Sequence, residues 1–175
     1  MTTLQPETVP TDRLALLPLA VEHAQEMAGV LGDPSLYGFI GGTPPTPPAL
    51  RARYERLVAG SPETGVSWCN WVVRLGDEGP LVGTVQATVD GGEAAEIAWI
   101  VGTPWQGRGI AVEAVRGLVG WLTARGVRSF VAHIHPDHAA SAAVASAAGL
   151  APTGEWHDGE IRWRLQAPSG PPSLS

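Results

Sequence analysis

Between Val101 and Ala111 the chain reads VGTPWQGRGIA, and the hydrophobic period changes across it. Upstream, three runs alternate with a period of two. Ser67–Leu75 puts Cys69, Trp71, Val73 and Leu75 on one face. Leu81–Val89 and Ala94–Val101 follow, after the turns GDEG at Gly76–Gly79 and DGGE at Asp90–Glu93. Alternating runs joined by short glycine turns make an antiparallel meander. Downstream, Gly109–Arg125 carries Val112, Val115, Leu118, Val119 and Leu122 on a helical stripe, closed by Gly126. Gly107 and Gly109 therefore sit in a strand-to-helix turn, where the missing side chains let the backbone bend sharply and approach a ligand. The first N–H groups of a helix lack internal acceptors, so this turn is expected to take a phosphate or pyrophosphate, the alternative being a plain glycine turn that opens a helix. A Walker loop is excluded, because all eleven basic residues are arginine and the chain has no lysine. Lysine Schiff-base chemistry falls with it. The dinucleotide pattern G-x-G-x-x-G is excluded because position 112 is valine.

The remaining elements fit around this joint. Arg13–Leu17 reads as a short strand ended by Pro18. Val21–Leu31 reads as a helix with Ala24, Met27, Ala28 and Leu31 on one side. Thr46, Pro47 and Pro48 open a second helix running to Ala59. Phe130–Ile134 is a buried strand, Ala139–Ala148 an alanine-rich helix closed by Gly149, and WHDGEIRW a hairpin about Asp158-Gly159. The order predicts a single-domain α/β (α+β) fold, a mixed and mostly antiparallel sheet flanked by helices. Residues 11–166 form the domain, 1–10 an N-terminal extension and 167–175 (APSGPPSLS) a disordered tail. GGTPPTPP at Gly41–Pro48 is a linker.

Composition removes several classes of function. Of 175 residues, 44% are apolar and 16% charged, enough for one packed core. The net charge of −6 argues against a nucleic-acid partner. Cys69 is the single cysteine, so no disulfide framework or thiolate zinc cluster exists within the chain. No apolar run reaches 18 residues, and MTTLQPETVPTDRL lacks the layout of a signal peptide. A cytoplasmic protein without a membrane partner is expected.

The segment Gln106-Gly107-Arg108-Gly109-Ile110-Ala111 resembles the acetyl-CoA loop Q/R-x-x-G-x-G/A of the GCN5-related N-acetyltransferases. TDRLALLPL at Thr11–Leu19 and AEIAWIV at Ala95–Val101 resemble two strands of the branch that acetylates ribosomal-protein N-termini and small amines. SAAVASAAGL at Ser141–Leu150 resembles its closing helix. The likeness spans Thr11–Leu165. It departs at His138, where the family usually has Asn, at Leu150 in place of Phe, and in lacking a tyrosine after Ser141.

The resemblance implies an acetyl-CoA-dependent N-acetyltransferase acting on a primary amine, either a small molecule or a peptide N-terminus. Acetyl-CoA serves as co-substrate, and no metal is implied. The N–H groups from Gln106 to Ala111 hold the pyrophosphate, with Arg108 adding charge. The edge Trp99, Ile100 and Val101 pairs with the pantetheine, and a backbone N–H near Val101 serves the thioester oxygen. The residues themselves point to a base. A primary amine has a pKa near 10 and must lose a proton, and Glu96 stands in an apolar strand just before the loop. Glu93 and Glu113 are weaker candidates, Glu113 suiting the helix dipole. The acid is left open among Ser141, His138 and water, and His138 is also a pantetheine contact or a cap. Tyr37, Trp68 and Trp71, with Phe39, are candidates to line the acceptor pocket. If Arg51, Arg53 and Arg56 face it, the acceptor carries a carboxylate or phosphate. A homodimer is allowed.

Two other readings stand beside this one. A sensor of the same fold would bind acyl-CoA without turnover, a reading the missing tyrosine keeps open. A zinc hydrolase is spelled by H-x-H-x-D-H at His133–His138, but only His157 remains downstream to complete its ligand set.

Overall fold

The computed structural model describes residues 3–166. The tail expected over 167–175 lies outside the described residues. Within them the chain forms one eight-stranded sheet flanked by four α-helices. The strands are β1 (Val9–Pro10), β2 (Leu14–Pro18), β3 (Val66–Leu75), β4 (Leu81–Asp90), β5 (Ala94–Val101), β6 (Ser129–Ile134), β7 (Ala151–His157) and β8 (Glu160–Gln166). The helices are α1 (Ala24–Val30), α2 (Pro47–Ala59), α3 (Ile110–Ala124) and α4 (Ala139–Ala147). The sheet order is β1-β2-β3-β4-β5-β6-β8-β7, antiparallel except between β5 and β6. No helix among the described residues is long and apolar enough to cross a membrane.

The sequence dictates these elements locally. Thr46 Oγ1 accepts the Ala49 N–H and caps α2, with proline in its first turn. Asp158 and Gly159, both at positive φ, make the two-residue turn between β7 and β8. Alternation along β3 sends Cys69, Trp71 and Val73 into the larger core beneath α3, with Phe130, Leu118 and Leu122. Val72, on the opposite face, joins a smaller core with Met27, Leu50 and Tyr54 under α1 and α2.

Residues 4–10 are tied to the sheet. Val9–Pro10 pairs with β2, the Leu4 N–H donates to the buried Ser67 hydroxyl, and the Trp71 indole N–H donates to the Glu7 carbonyl at 2.8 Å. No hydrophobic period marks so short a strand.

One irregularity in the sheet positions everything that follows. β5 and β6 pair only at Ala94↔Ser129, Ala95↔Phe130 and Glu96↔Val131. Beyond Glu96 they part, and the sheet opens between Ile97–Val101 and Ala132–Ile134.

Candidate active site

The parting creates a cleft of about 820 Å³. Its walls are the free half of β5, the end of β6, the start of α3 and one face of α4. Ten of the residues expected to bind the cofactor or act in catalysis meet there: Trp99, Ile100, Val101, Gln106, Gly107, Gly109, Ile110, Ala111, His138 and Ser141.

At one end lies the glycine turn. Gly107 and Gly109 have φ of +77° and +76°, which L side chains rarely adopt, and Gly109 is the residue preceding α3. The first helical bond, from the Glu113 N–H to the Gly109 carbonyl, is 3.1 Å. The N–H groups of Ile110, Ala111 and Val112 precede it and have no helical acceptor. The dipole of the 15-residue α3 adds partial positive charge at the same end.

Side chains behind the turn hold it in place. Arg13 Nε donates to Glu113 Oε1 at 2.7 Å, and Arg13 Nη1 donates to the Arg108 carbonyl at 2.8 Å. Thr11 Oγ1 and the Arg13 N–H both donate to Glu113 Oε2. Burial alone would raise the Glu113 carboxyl; these hydrogen bonds and the Arg13 charge outweigh it and hold the group below the usual carboxylate range. Glu113 is thus a clamp on the loop as well as a dipole partner. Arg108 is exposed and does not line the cleft, so its carbonyl, accepting from Arg13, is what it contributes here. The Gln106 side chain donates to the Val101 carbonyl at 2.9 Å and ties the loop to the end of β5.

The free edge of β5 is set by register. The Gly102 N–H bonds to Val82 on β4 at 2.8 Å. Backbone groups alternate in direction along a strand, so those of Val101 and Trp99 face the cleft. The Val101 carbonyl is taken by Gln106, leaving its N–H directed into the opening.

β5 alternates, and Ala95 and Ile97 point into the core while Glu96 lies on the open face, its side chain 58% exposed. It stands at the last residue pair before the strands part, beside the cleft lining rather than within it. Glu96 Oε1 is 3.0 Å from Nδ1 of His133, whose side chain is only 10% exposed and does line the cleft. His133 Nε2 in turn accepts from Arg162 Nε at 3.2 Å, and Arg162 Nη1 donates to Glu155 Oε2 at 2.9 Å.

On the opposite wall, Ser141 Oγ lies 3.3 Å from His138 Nε2, and the His138 ring stacks on Phe39 with centroids 4.6 Å apart. Burial, then the charge of His135, disfavours the charged form of His138 and pushes it below the ordinary imidazole value against the pull of Glu160.

Three expected acceptor contacts go elsewhere. Trp71 is fully buried and packs edge-on against Trp121. Trp68 lies on the other face of β3, lining a separate hollow beside the end of α2. The Tyr37 hydroxyl donates to the Leu31 carbonyl at 2.9 Å, outside the cleft lining. Phe39 and Ile40, both exposed, line the mouth instead. Arg51, Arg53 and Arg56 are exposed on α2 and none lines the cleft.

The histidine string is dispersed into these contacts. His133 is engaged by Glu96 and Arg162, His135 Nδ1 accepts the Asp137 N–H, and His138 meets Ser141. Among the described residues no three His, Cys, Asp or Glu side chains come together as a metal-binding group. The buried Cys69 thiol is pushed up to about 11 by burial, far from nucleophilic use.

The family model described as "Acetyltransferase (GNAT) domain" matches residues 13–151. Among solved structures, an acetyltransferase of that family from Bacillus anthracis superposes with a TM-score of 0.78 at 17% identity, covering 91% of this chain and 98% of that one. RimJ of Mycobacterium smegmatis, in complex with a CoA-disulfide, gives 0.78 at 19%, covering 93% and 88%. The microcin C7 self-immunity acetyltransferase MccE, in complex with acetyl-CoA and AMP, gives 0.76 at 17%, covering 89% and 93%. At such identities these structures establish the fold. No protein of curated function matches the chain significantly.

Proposed function

Because the chain belongs to the acetyltransferase (GNAT) family, we propose that it transfers an acetyl group from acetyl-CoA to a primary amine, with Glu96 taking the amine's proton. The observation that carries this reading is the parting of β5 from β6, with an anion-binding helix start at one end of the opening and a carboxylate at the other. The fit to acetyl-CoA is argued from the backbone. The glycine turn presents free N–H groups to a pyrophosphate. The exposed edge of Trp99 and Val101 can pair with the extended pantetheine amides as a missing strand would. The Val101 N–H is directed into the opening, which supports its serving the thioester oxygen as negative charge develops on it.

The amine approaches from the open sheet face, where Glu96 lies. Glu96 accepts its proton, directly or through a water, so that the neutral nitrogen attacks the thioester carbon. The departing thiolate is a weak base and takes its proton from water, relayed through the Ser141 hydroxyl, which gives up one proton as it receives another and lies 3.3 Å from His138 Nε2. Phe39 and Ile40 at the mouth favour an acceptor with an apolar portion beside the amine.

The test is thiol release from acetyl-CoA across a panel of amines: aminoglycosides, polyamines, amino acids and peptides with free N-termini. Amine-dependent release by the intact chain is the expected result. Tight acetyl-CoA binding with no release for any amine class would replace this reading with that of an acyl-CoA sensor.

A further inference from the structure

We propose that His133, its tautomer fixed by Arg162, is the positioning residue that holds the Glu96 carboxylate at the mouth of the cleft. The inference rests on Glu96 acting as the base. An exposed glutamate on a strand has several rotamers, and fixing it opposes its side-chain entropy. His133 supplies the restraint across the gap. Glu96 is the last residue of β5 paired to β6, opposite Val131. His133 stands two residues beyond Val131 on the same face, where the strands have already separated. It therefore faces the cleft and still reaches back 3.0 Å to Glu96 Oε1.

Hydrogen-bond arithmetic assigns the ring's protons. An arginine Nε can only donate, so His133 Nε2, which accepts from Arg162, carries no proton. The proton of the neutral ring is then on Nδ1, and it is donated to Glu96. Arg162 lies directly opposite His133 in the β6–β8 register and is itself braced by Glu155 on β7. The groups facing the imidazole are thus Glu96 from β5, Arg162 from β8 and His157 from β7, whose ring centroid lies 4.7 Å away. With both nitrogens engaged, the ring is a spacer and not the proton acceptor. It leaves Glu96 Oε2 for the amine.

Three variants and one spectroscopic measurement test this. His133→Ala should lower kcat by up to about 10²-fold, the scale of a misplaced reacting group, and shift the acidic limb of the pH profile, with KM for acetyl-CoA unchanged. His133→Gln, whose amide N–H can reach the carboxylate without titrating, should recover most of that loss. It also carries the test should the alanine variant fold poorly. Arg162→Ala should give a smaller loss. In ¹⁵N NMR of the intact protein, His133 Nε2 should appear unprotonated, and its signal should move toward tautomer averaging in Arg162→Ala. If His133→Ala and His133→Gln both keep wild-type kcat and pH profile while Glu96→Gln is inactive, the inference is overturned and the base stands. A protonated Nε2 in the wild type also overturns it. If Glu96→Gln retains full activity, the base assignment fails, and the positioning role falls with it.

Discussion

The two ends of the cleft are built from different material. The loop end is backbone: two glycines at positive φ, a helix start with unpaired N–H groups, and a clamp of Thr11, Arg13 and Glu113 that never enters the cleft. The far end is side chain: Glu96, His133 and Arg162 brought together from three strands, faced by Ser141 on α4 and by His138 just before that helix. A backbone site tolerates nearly any side chain provided the chain can make the turn, so it recognises a feature common to all substrates of one type. A side-chain site depends on every residue named, and in the proposed reaction that is where discrimination and proton transfer reside. The difference predicts that damage at one end lowers affinity for the acyl donor, while damage at the other lowers turnover.

Glu96→Gln is the harshest test of that division. It keeps shape and hydrogen bonding but loses basicity, and removal of a positioned base typically costs about 10²–10⁴-fold. At neutral pH, kcat/KM should fall in that range while calorimetric coenzyme A affinity stays unchanged. Raising the pH should restore part of the rate, because solvent then deprotonates the amine. A folded variant keeping more than about a third of wild-type activity would reduce Glu96 to a structural residue.

Gly109→Val should act at the opposite end. A β-branched residue at φ +76° carries backbone strain of about 1–3 kcal/mol, and its Cβ would approach Arg13 Nη2 to 3.3 Å. Coenzyme A affinity should drop by roughly 5–150-fold, the same energy expressed as a ratio. Unchanged affinity would show that the loop does not hold the pyrophosphate.

A milder probe of the same end is Glu113→Gln, which keeps the clamp's shape and removes its charge. Coenzyme A affinity should weaken by about tenfold or less. The folded Glu113 carboxyl titrates below its unfolded value, so its stabilisation is fully present above the unfolded pKa. As pH falls, the unfolded chain takes up the proton first, and the stabilisation is lost by the time pH has fallen through the folded pKa. Denaturant midpoints of wild type and variant should therefore converge on acidification, and a gap that stays constant would mean the charge is not what matters.

The smallest effect expected is none. Exhaustive chelation should leave the rate unchanged, since His133, His135 and His138 are each committed to other partners. Loss of activity restored by zinc would give the histidine string a different role.

How much of this the sequence discloses follows from the same contrast. The loop is legible because glycine spacing between a strand period and a helix period is local information. The meander is legible for the same reason. Trp71 was legible too, for the alternation that sets it beside Cys69 and Val73 already assigns it to the core and away from an acceptor. Glu96 follows the same rule, since alternation with Ala95 and Ile97 puts it on the open face. The His133 contact was beyond reach. Its partner Glu96 lies 37 residues away, and they meet only because a parallel pairing of β5 and β6 stops after three residue pairs. Where such a pairing ends is not written in either strand.

That short seam has a mechanical consequence. Hydrogen bonding divides the sheet into a block of β1 to β5 and a block of β6, β8 and β7, joined by three residue pairs and by α3 beneath. The smaller block, with α4 and the β7–β8 hairpin, is the natural unit of sub-global opening. Amide exchange in Ser129–Gln166 should therefore be collectively faster than in β3 and β4, and binding a ligand between the blocks should slow both together. On this view the acyl donor acts as a rivet: it converts two cooperative units into one for as long as it stays bound.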